Sequence, residues 1–257
     1  MYLWRKRANP KWLESREENL QLRFGPALAI VALPGKARIL VQVSCPTRKE
    51  AVELQREFGG TIEKLRADWL KQFTKRSKVK PIRIGSRTIV IPAEAAFGTG
   101  EHATTAMCLR MLKRAARNRT GDWTMLDAGT GSGILAIAGS CLGAKRIVAI
   151  DNDPVASRIA RRNALANQAR KIKFRTGDVL KLRLAEKFDV IVANLFSEIL
   201  IAALPLWSRQ LRSRGQLILS GVLRSQESGL VKALHRNGFT SHDVRRRGKW
   251  IALLAGK

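Results

Sequence analysis

The chain has 257 residues, 45% of them hydrophobic, and carries 48 Lys and Arg against 20 Asp and Glu, a formal net charge of +28. That length holds one large domain, or a catalytic domain with a small appendage, around an ordinary packed core. No apolar run approaches the roughly 20 residues that cross a bilayer, the charged start Met1–Arg7 lacks the apolar stretch of a secretory signal, and Cys45, Cys108 and Cys141 lack the paired spacing of a disulfide framework or a zinc site.

A cytoplasmic protein without a metal is therefore expected, and one with no membrane partner. A surface so basic attracts polyanions and gives salt-sensitive contact with RNA or the ribosome. The alternative is a compositional bias, because the cations are spread along the chain, with clusters at 71–80, 110–119, 158–162 and 245–247.

In chain order, the first 65 residues read β-α-β-β-α-β. Tyr2–Arg5 is a short strand, and a helix runs from Lys11 with Asn9 as its cap and Pro10 at its first position. Ala27–Leu33 and Arg38–Val43 are apolar, β-rich runs joined by Pro34-Gly35-Lys36. Thr47–Phe58 has helical spacing of its apolar residues and stops at Gly59-Gly60, and Thr61–Leu65 is a last strand. This order predicts a ferredoxin-like α+β domain over 1–65. Residues 66–92 read as a linker, with a helical turn at Asp68–Phe73, a basic run at Lys75–Lys80 and a hairpin of Ile82–Ile84 and Thr88–Ile91.

Over 93–257 strands alternate with helices. Strands are predicted at Thr124–Ala128, Arg146–Ile150, Ile172–Arg175, Phe188–Ala193 and Gln216–Ser220, and helices at Ile134–Leu142, Pro154–Ala166, Glu198–Arg212 and Gln226–Arg236. Such alternation implies a largely parallel α/β sheet covered on both faces. Phe239–Val244 and Trp250–Leu254 then form a hairpin that adds an antiparallel strand.

The central motif is Asp127-Ala128-Gly129-Thr130-Gly131-Ser132-Gly133, between an apolar strand and a helix. Glycines there let the backbone turn tightly and approach a ligand, and helix-start amides offer donors. Asp151, 22 positions after Gly129 at the tip of the next strand, stands where an acid reaches ribose hydroxyls. A Gly-rich turn and one acid would also suit a dinucleotide. Asp178, just after the third strand and placed to accept from an adenine amino group, tips the reading toward an adenosyl cofactor; Asp127 or Asp178 taken singly also reads as a turn or capping acid. Upstream, Phe97-Gly98-Thr99-Gly100-Glu101-His102-Ala103-Thr104-Thr105 combines close backbone approach with hydrogen-bonding side chains. His102 by itself fits a packing or capping residue as well as a base. Asn194, in Ala193-Asn194-Leu195-Phe196, ends the fourth strand at the edge where open α/β sheets bind ligands, and it offers both a donor and an acceptor without charge.

These three segments, with Ser220-Gly221-Val222-Leu223 and Gly238-Phe239, resemble the PrmA family of methyltransferases, which act on lysine and N-terminal amines of the large-subunit stalk-base protein numbered eleven. The resemblance implies a seven-stranded class I methyltransferase (Rossmann-like) sheet behind a ferredoxin-like substrate-recognition domain, with S-adenosyl-L-methionine as cofactor and a ribosomal protein as substrate partner. It implies that Thr105, Gly129, Asp151 and Asn194 contact the cofactor, with Asn194 also facing the substrate amine as the catalytic candidate. Phe97, Gly98, Thr99, Gly100, His102, Asp127, Gly131 and Asp178 complete the expected cofactor site. Two other readings stay open: transfer to RNA or another protein, and a non-enzymatic, ribosome-binding scaffold. A nicotinamide dehydrogenase has only the Gly-rich turn in its favour.

Overall fold

The computed structural model describes residues 2–24, 27–32, 39–64, 81–92, 100–117, 119, 121–181 and 184–257. They fall into two compact units, Met1–Lys78 and Val79–Lys257. The predicted turn 34–36, the helical turn 68–73, the basic run 75–80 and Phe97–Thr99 lie outside the described residues.

The first unit runs β1 (Tyr2–Ala8), α1 (Pro10–Glu14), α2 (Glu17–Phe24), β2 (Leu28–Ala32), β3 (Ile39–Cys45), α3 (Arg48–Phe58) and β4 (Thr61–Lys64). Its sheet order, β2-β3-β1-β4 with every neighbour antiparallel, is the ferredoxin-like arrangement. Asn9 caps α1 by accepting from Trp12 N, and Pro10 fills the first turn, where its missing N–H costs nothing. One helix was expected from Lys11; the chain instead breaks at Ser15-Arg16 into two. Trp4, Leu13, Leu20, Val41, Val43 and Leu54 form the buried core, and the Trp4 indole N–H donates to Gly59 O at 2.7 Å, which holds the end of α3 to β1.

The second unit begins with the hairpin β5 (Ile82–Ile84) and β6 (Arg87–Ile89), then α4 (Ala103–Arg117), β7 (Thr124–Ala128), α5 (Ile134–Cys141), β8 (Arg146–Asp151), α6 (Pro154–Ala166), β9 (Ile172–Thr176) and β10 (Phe188–Asn194). It ends with α7 (Ser197–Gln210), β11 (Leu211–Leu223), α8 (Glu227–Arg236), β12 (Thr240–Arg247) and β13 (Trp250–Gly256). The seven strands are ordered β12-β13-β11-β10-β7-β8-β9, parallel from β11 to β9, with β13 antiparallel to both its neighbours.

Side-chain alternation divides the core in two. Met125, Ile147, Ala149, Val190, Val192 and Ile218 pack with α4 and α5 on one face. Leu126, Val148, Ile150, Ile191, Leu217 and Leu219 pack with α7 and α8 on the other. The hairpin adds Ile84, Ile89 and Ile91 to the first of these cores.

Two features depart from expectation. The 15-residue helix α4 was read only as a basic cluster and a motif. Its Arg110, Arg114 and Arg117 are exposed, whereas Met107, Cys108, Met111, Leu112 and Ala115 are buried at helical spacing. The helix predicted to reach Arg212 ends at Gln210, because Leu211 turns to extended backbone (φ −80°, ψ 134°) and enters the core beside Phe188. No helix among the described residues is long and apolar enough to cross a membrane.

Candidate functional site

The strand order reverses between β7 and β10: from β7 the chain continues outward through β8 and β9, then returns to β10 on the other side. In open sheets the crevice outside the carboxyl ends at such a switch point is where ligands bind. The motif residues converge there.

At the tip of β7, Gly129, Gly131 and Gly133 all take left-handed backbone, with φ of 76°, 54° and 83°. Only glycine adopts these angles without strain. Space is as restrictive as conformation. A Cβ on Gly129 would lie 2.3 Å from Leu195 Cδ2, and one on Gly133 would lie 3.1 Å from the α6 backbone at Ala160.

Gly133 also caps α5 without a side chain to do so. Asp127 takes that role from the strand. Its fully buried Oδ2 accepts from Ala136 N at 3.0 Å and from Thr130 Oγ1 at 2.7 Å. Oδ1 is buried with no partner among the described residues. Burial, partly offset by the bonds from Thr130 and Ala136 and reinforced by the charge of Asp151, pushes the Asp127 carboxyl up to about 7. From α6, the buried Asn163 donates to Ser132 O at 2.9 Å and ties the loop down from behind.

Asp151, at the tip of β8, reaches across to the loop. Its Oδ2 accepts from Gly131 N at 2.8 Å and its Oδ1 from Asp153 N at 3.0 Å. The Asp151 carbonyl accepts from Gly177 N at 2.8 Å, which draws the end of β9 to the same place. Asp178 follows: its Oδ1 accepts from Leu180 N at 2.9 Å, while the carboxylate keeps 42% side-chain exposure and Oδ2 lies 4.0 Å from Lys181 Nζ.

On the other side of the switch point, Asn194 ends β10 and donates from Nδ2 to Oγ1 of Thr105, buried in α4, at 3.4 Å. Leu195 N bonds Ser220 O at 3.0 Å, and Gly221 (φ 88°) passes so close that a Cβ would sit 2.4 Å from Leu195 O. His102 Nδ1 is 2.7 Å from Thr104 Oγ1, and its ring meets Trp250 edge-on at 5.3 Å. Gly100 (φ 90°) passes between the hairpin and α5, where a Cβ would strike Ile82 and Ile134.

The structure thus gathers Asp127, Gly129, Gly131 and Asp151 into one loop system, brings Asp178 to its border, and sets Thr105 beside Asn194. Phe97, Gly98 and Thr99 lie outside the described residues. Leu195 over Gly129, Asn163 behind the loop and Trp250 against His102 were not anticipated. Asn163, a buried amide on a helix, carries no local signal, and Trp250 reads as an ordinary strand residue.

The family model described as "Ribosomal protein L11 methyltransferase (PrmA)" matches residues 91–257, which include nearly all of this geometry. The chain belongs to this family. A PrmA relative, the ribosomal protein L11 methyltransferase of Clostridium perfringens strain 13, is 33% identical over 232 residues, covering 80% of this chain and 72% of the relative. That of Heliobacterium modesticaldum is 34% identical over 206 residues, covering 73% and 63%. The chain thus spans 63% of the Heliobacterium relative and only 56% of the one from Anoxybacillus flavithermus. Among solved structures, the ribosomal protein L11 methylase of Lactobacillus delbrueckii subsp. bulgaricus aligns with a TM-score of 0.57 and 34% identity, over 62% of this chain and 80% of its own. An S-adenosylmethionine-dependent methyltransferase from Clostridium acetobutylicum, 14% identical with a TM-score of 0.52 over 61% of this chain and 93% of its own, shares the seven-stranded class I methyltransferase fold.

Proposed function

We propose that this PrmA-family chain transfers methyl groups from S-adenosyl-L-methionine to lysine or N-terminal amines of a large-subunit ribosomal protein. The observation that carries the reading is the meeting, at one switch point, of a glycine-rich loop clamped by Asp151 and the Thr105–Asn194 pair. The donor set fits the cofactor. Asp151 already accepts two backbone N–H groups, and each of its oxygens keeps a lone pair for a ribose hydroxyl. Asp178 has an exposed oxygen for an adenine amino group. The Gly129–Gly131 backbone, with Gly100, His102 and Thr105, would line the remainder, Phe97–Thr99 join this proposed set on their sequence motif alone, and Asp127 Oδ1, unpartnered among the described residues, gives that region a buried acceptor.

When bound, S-adenosylmethionine supplies an electrophilic methyl group on a sulfonium. The protein's task is to present a neutral nitrogen in line. A lysine amine has a pKa near 10.4, so its deprotonation at pH 7 costs about 4.6 kcal/mol, and a partly dry site near positive charge lowers that cost. With Nδ2 of Asn194 turned to Thr105, its Oδ1 is left to accept an N–H of the amine and aim the lone pair. The proton is lost to solvent, since no side chain among the described residues stands out as a general base. The ferredoxin-like unit would recognise the protein substrate, and the reaction would take place in the cytoplasm.

The test is incubation of the purified chain with methyl-labelled cofactor and the stalk-base ribosomal protein numbered eleven. Label on that protein's amines is the expected result. Label appearing only on RNA or on other proteins would overturn the substrate. No thermal stabilisation by S-adenosylhomocysteine would overturn the enzyme reading altogether and leave a basic scaffold.

A further inference from the structure

We infer that the amino edge of the catalytic sheet, opposite the proposed methyl-transfer site, is a docking surface for a nucleic-acid phosphate backbone. A cleft of about 560 Å³ opens there, where β7, β8, β9 and β10 begin. Arg146, Lys171, Lys173, Lys187 and Arg212 line it, with Glu186 as the one acid of the lining. Arg212 is shared with Asp189, 3.8 Å away, which Arg119 also approaches at 3.7 Å. Arg146, Lys171, Lys173 and Lys187 are exposed and make no ion pair among the described residues.

Position gives these charges a direction. The four strands lie side by side in the order β10-β7-β8-β9, a width of about 14 Å at ordinary strand spacing. Lys187 immediately precedes β10, Arg146 starts β8, and Lys171, just before the edge strand β9, and Lys173, on it, both line the cleft and mark the far side. Phosphates recur regularly along a nucleic-acid strand, so cations spread over such a row can meet more than one of them at once.

The carboxyl edge carries the reverse charge, with Asp151 and Asp178 at its strand tips. Strands of five or six residues separate the two edges by about 17–20 Å. A polyanion is therefore drawn to the amino edge and leaves the carboxyl edge open. An acidic peptide is the competing occupant, and the polyglutamate competition below separates the two. The inference stands on the cleft alone and does not depend on the methyl-transfer reading.

The experiment measures binding of a fluorescent single-stranded ribo-oligonucleotide of about twenty nucleotides across a salt series. It compares the wild-type chain with Lys171→Gln/Lys173→Gln/Lys187→Gln and with a control of equal charge, Arg224→Gln/Lys232→Gln/Arg236→Gln, on exposed positions around α8. The cleft triple is expected to bind at least tenfold more weakly and to lower the slope of log affinity against log salt by about 2, in keeping with about 0.7 per lost phosphate contact. The control should change affinity less than threefold, and thermal unfolding of all three proteins should agree. Equal weakening by both triples would overturn the proposal in favour of diffuse charge. So would displacement of the RNA by polyglutamate at equal charge concentration. If the lysines serve only to guard the β9 edge, the cleft triple would aggregate with RNA affinity unchanged, and that too would overturn it.

Discussion

At the scale of single residues, Asp127, Asp151 and Asn194 have separable jobs. Asp151 holds Gly131 by its backbone N–H at 2.8 Å and is the proposed ribose acceptor. Charge-assisted hydrogen bonds contribute about 1.5–3 kcal/mol each. Asp151→Ala should therefore weaken S-adenosylhomocysteine at least tenfold by calorimetry, and unchanged affinity would remove Asp151 from the site. Asn194 donates to Thr105. Its replacement by Ala should cost alignment and leave adenosine contacts intact. Single-turnover rates should fall roughly a hundredfold with cofactor affinity within a fewfold, and a wild-type rate would place the amine elsewhere. Asp127 gives a pH signature. Its carboxyl sits near 7 in the fold, against 3.8 ordinarily, chiefly through burial, so between those values the folded state holds a proton that the unfolded state has released. Its contribution to stability is present below about pH 4 and is lost as pH rises toward 7. Melting temperatures from pH 4 to 8 should fall more steeply for the wild type than for Asp127→Asn; parallel curves would show that Asp127 does not titrate in this window.

At the scale of elements, the site depends on how strand ends are locked together. Leu195 N bonds Ser220 O, and the turn at Gly221 clears the Leu195 carbonyl only because it has no Cβ. Gly221→Ala would impose left-handed backbone on an L-residue and drive its methyl to 2.4 Å from a backbone oxygen. A loss of about 2–3 kcal/mol in urea unfolding is expected. A neutral result would mean that the β10 and β11 tips can separate at little cost. Two strand tips and α4 therefore act as one support for Asn194. The hairpin contributes in the same way, because Asn167 accepts from Val90 N at 2.8 Å and donates back to Val90 O at 2.9 Å, tying the segment before the 97–105 motif to the end of α6.

At the scale of the whole molecule, the two units have their own cores, one around Trp4 and Leu54 and the other on both faces of the seven-stranded sheet. A chain shortened to begin at Val79 should fold, gain stability with S-adenosylhomocysteine, and lose methylation of the ribosomal protein if the first unit is the reader. Undiminished methylation would move recognition to the second unit.

Much of this was legible in sequence because it rests on local patterns. Strand and helix periods place β7 to β11 and α5 to α8. The Gly-rich turn with Asp151 and Asp178 marks the carboxyl edge, and Asn194 marks the end of β10. The amphipathic period of α4 was present too, hidden by its alternating arginines. Other features were settled by tertiary structure alone. Thr105 and Asn194 are 89 positions apart and meet only when α4 lies over β10. Asn163 reaches Ser132 across 31 positions, and His102 finds Trp250 only when β13 inserts antiparallel beside β11. Five cations that look scattered along the chain become one lined cleft because four parallel strands start side by side. A sequence states which faces of each strand and helix are apolar; which tips become neighbours depends on strand order, and strand order is set by the packing of all the helices at once.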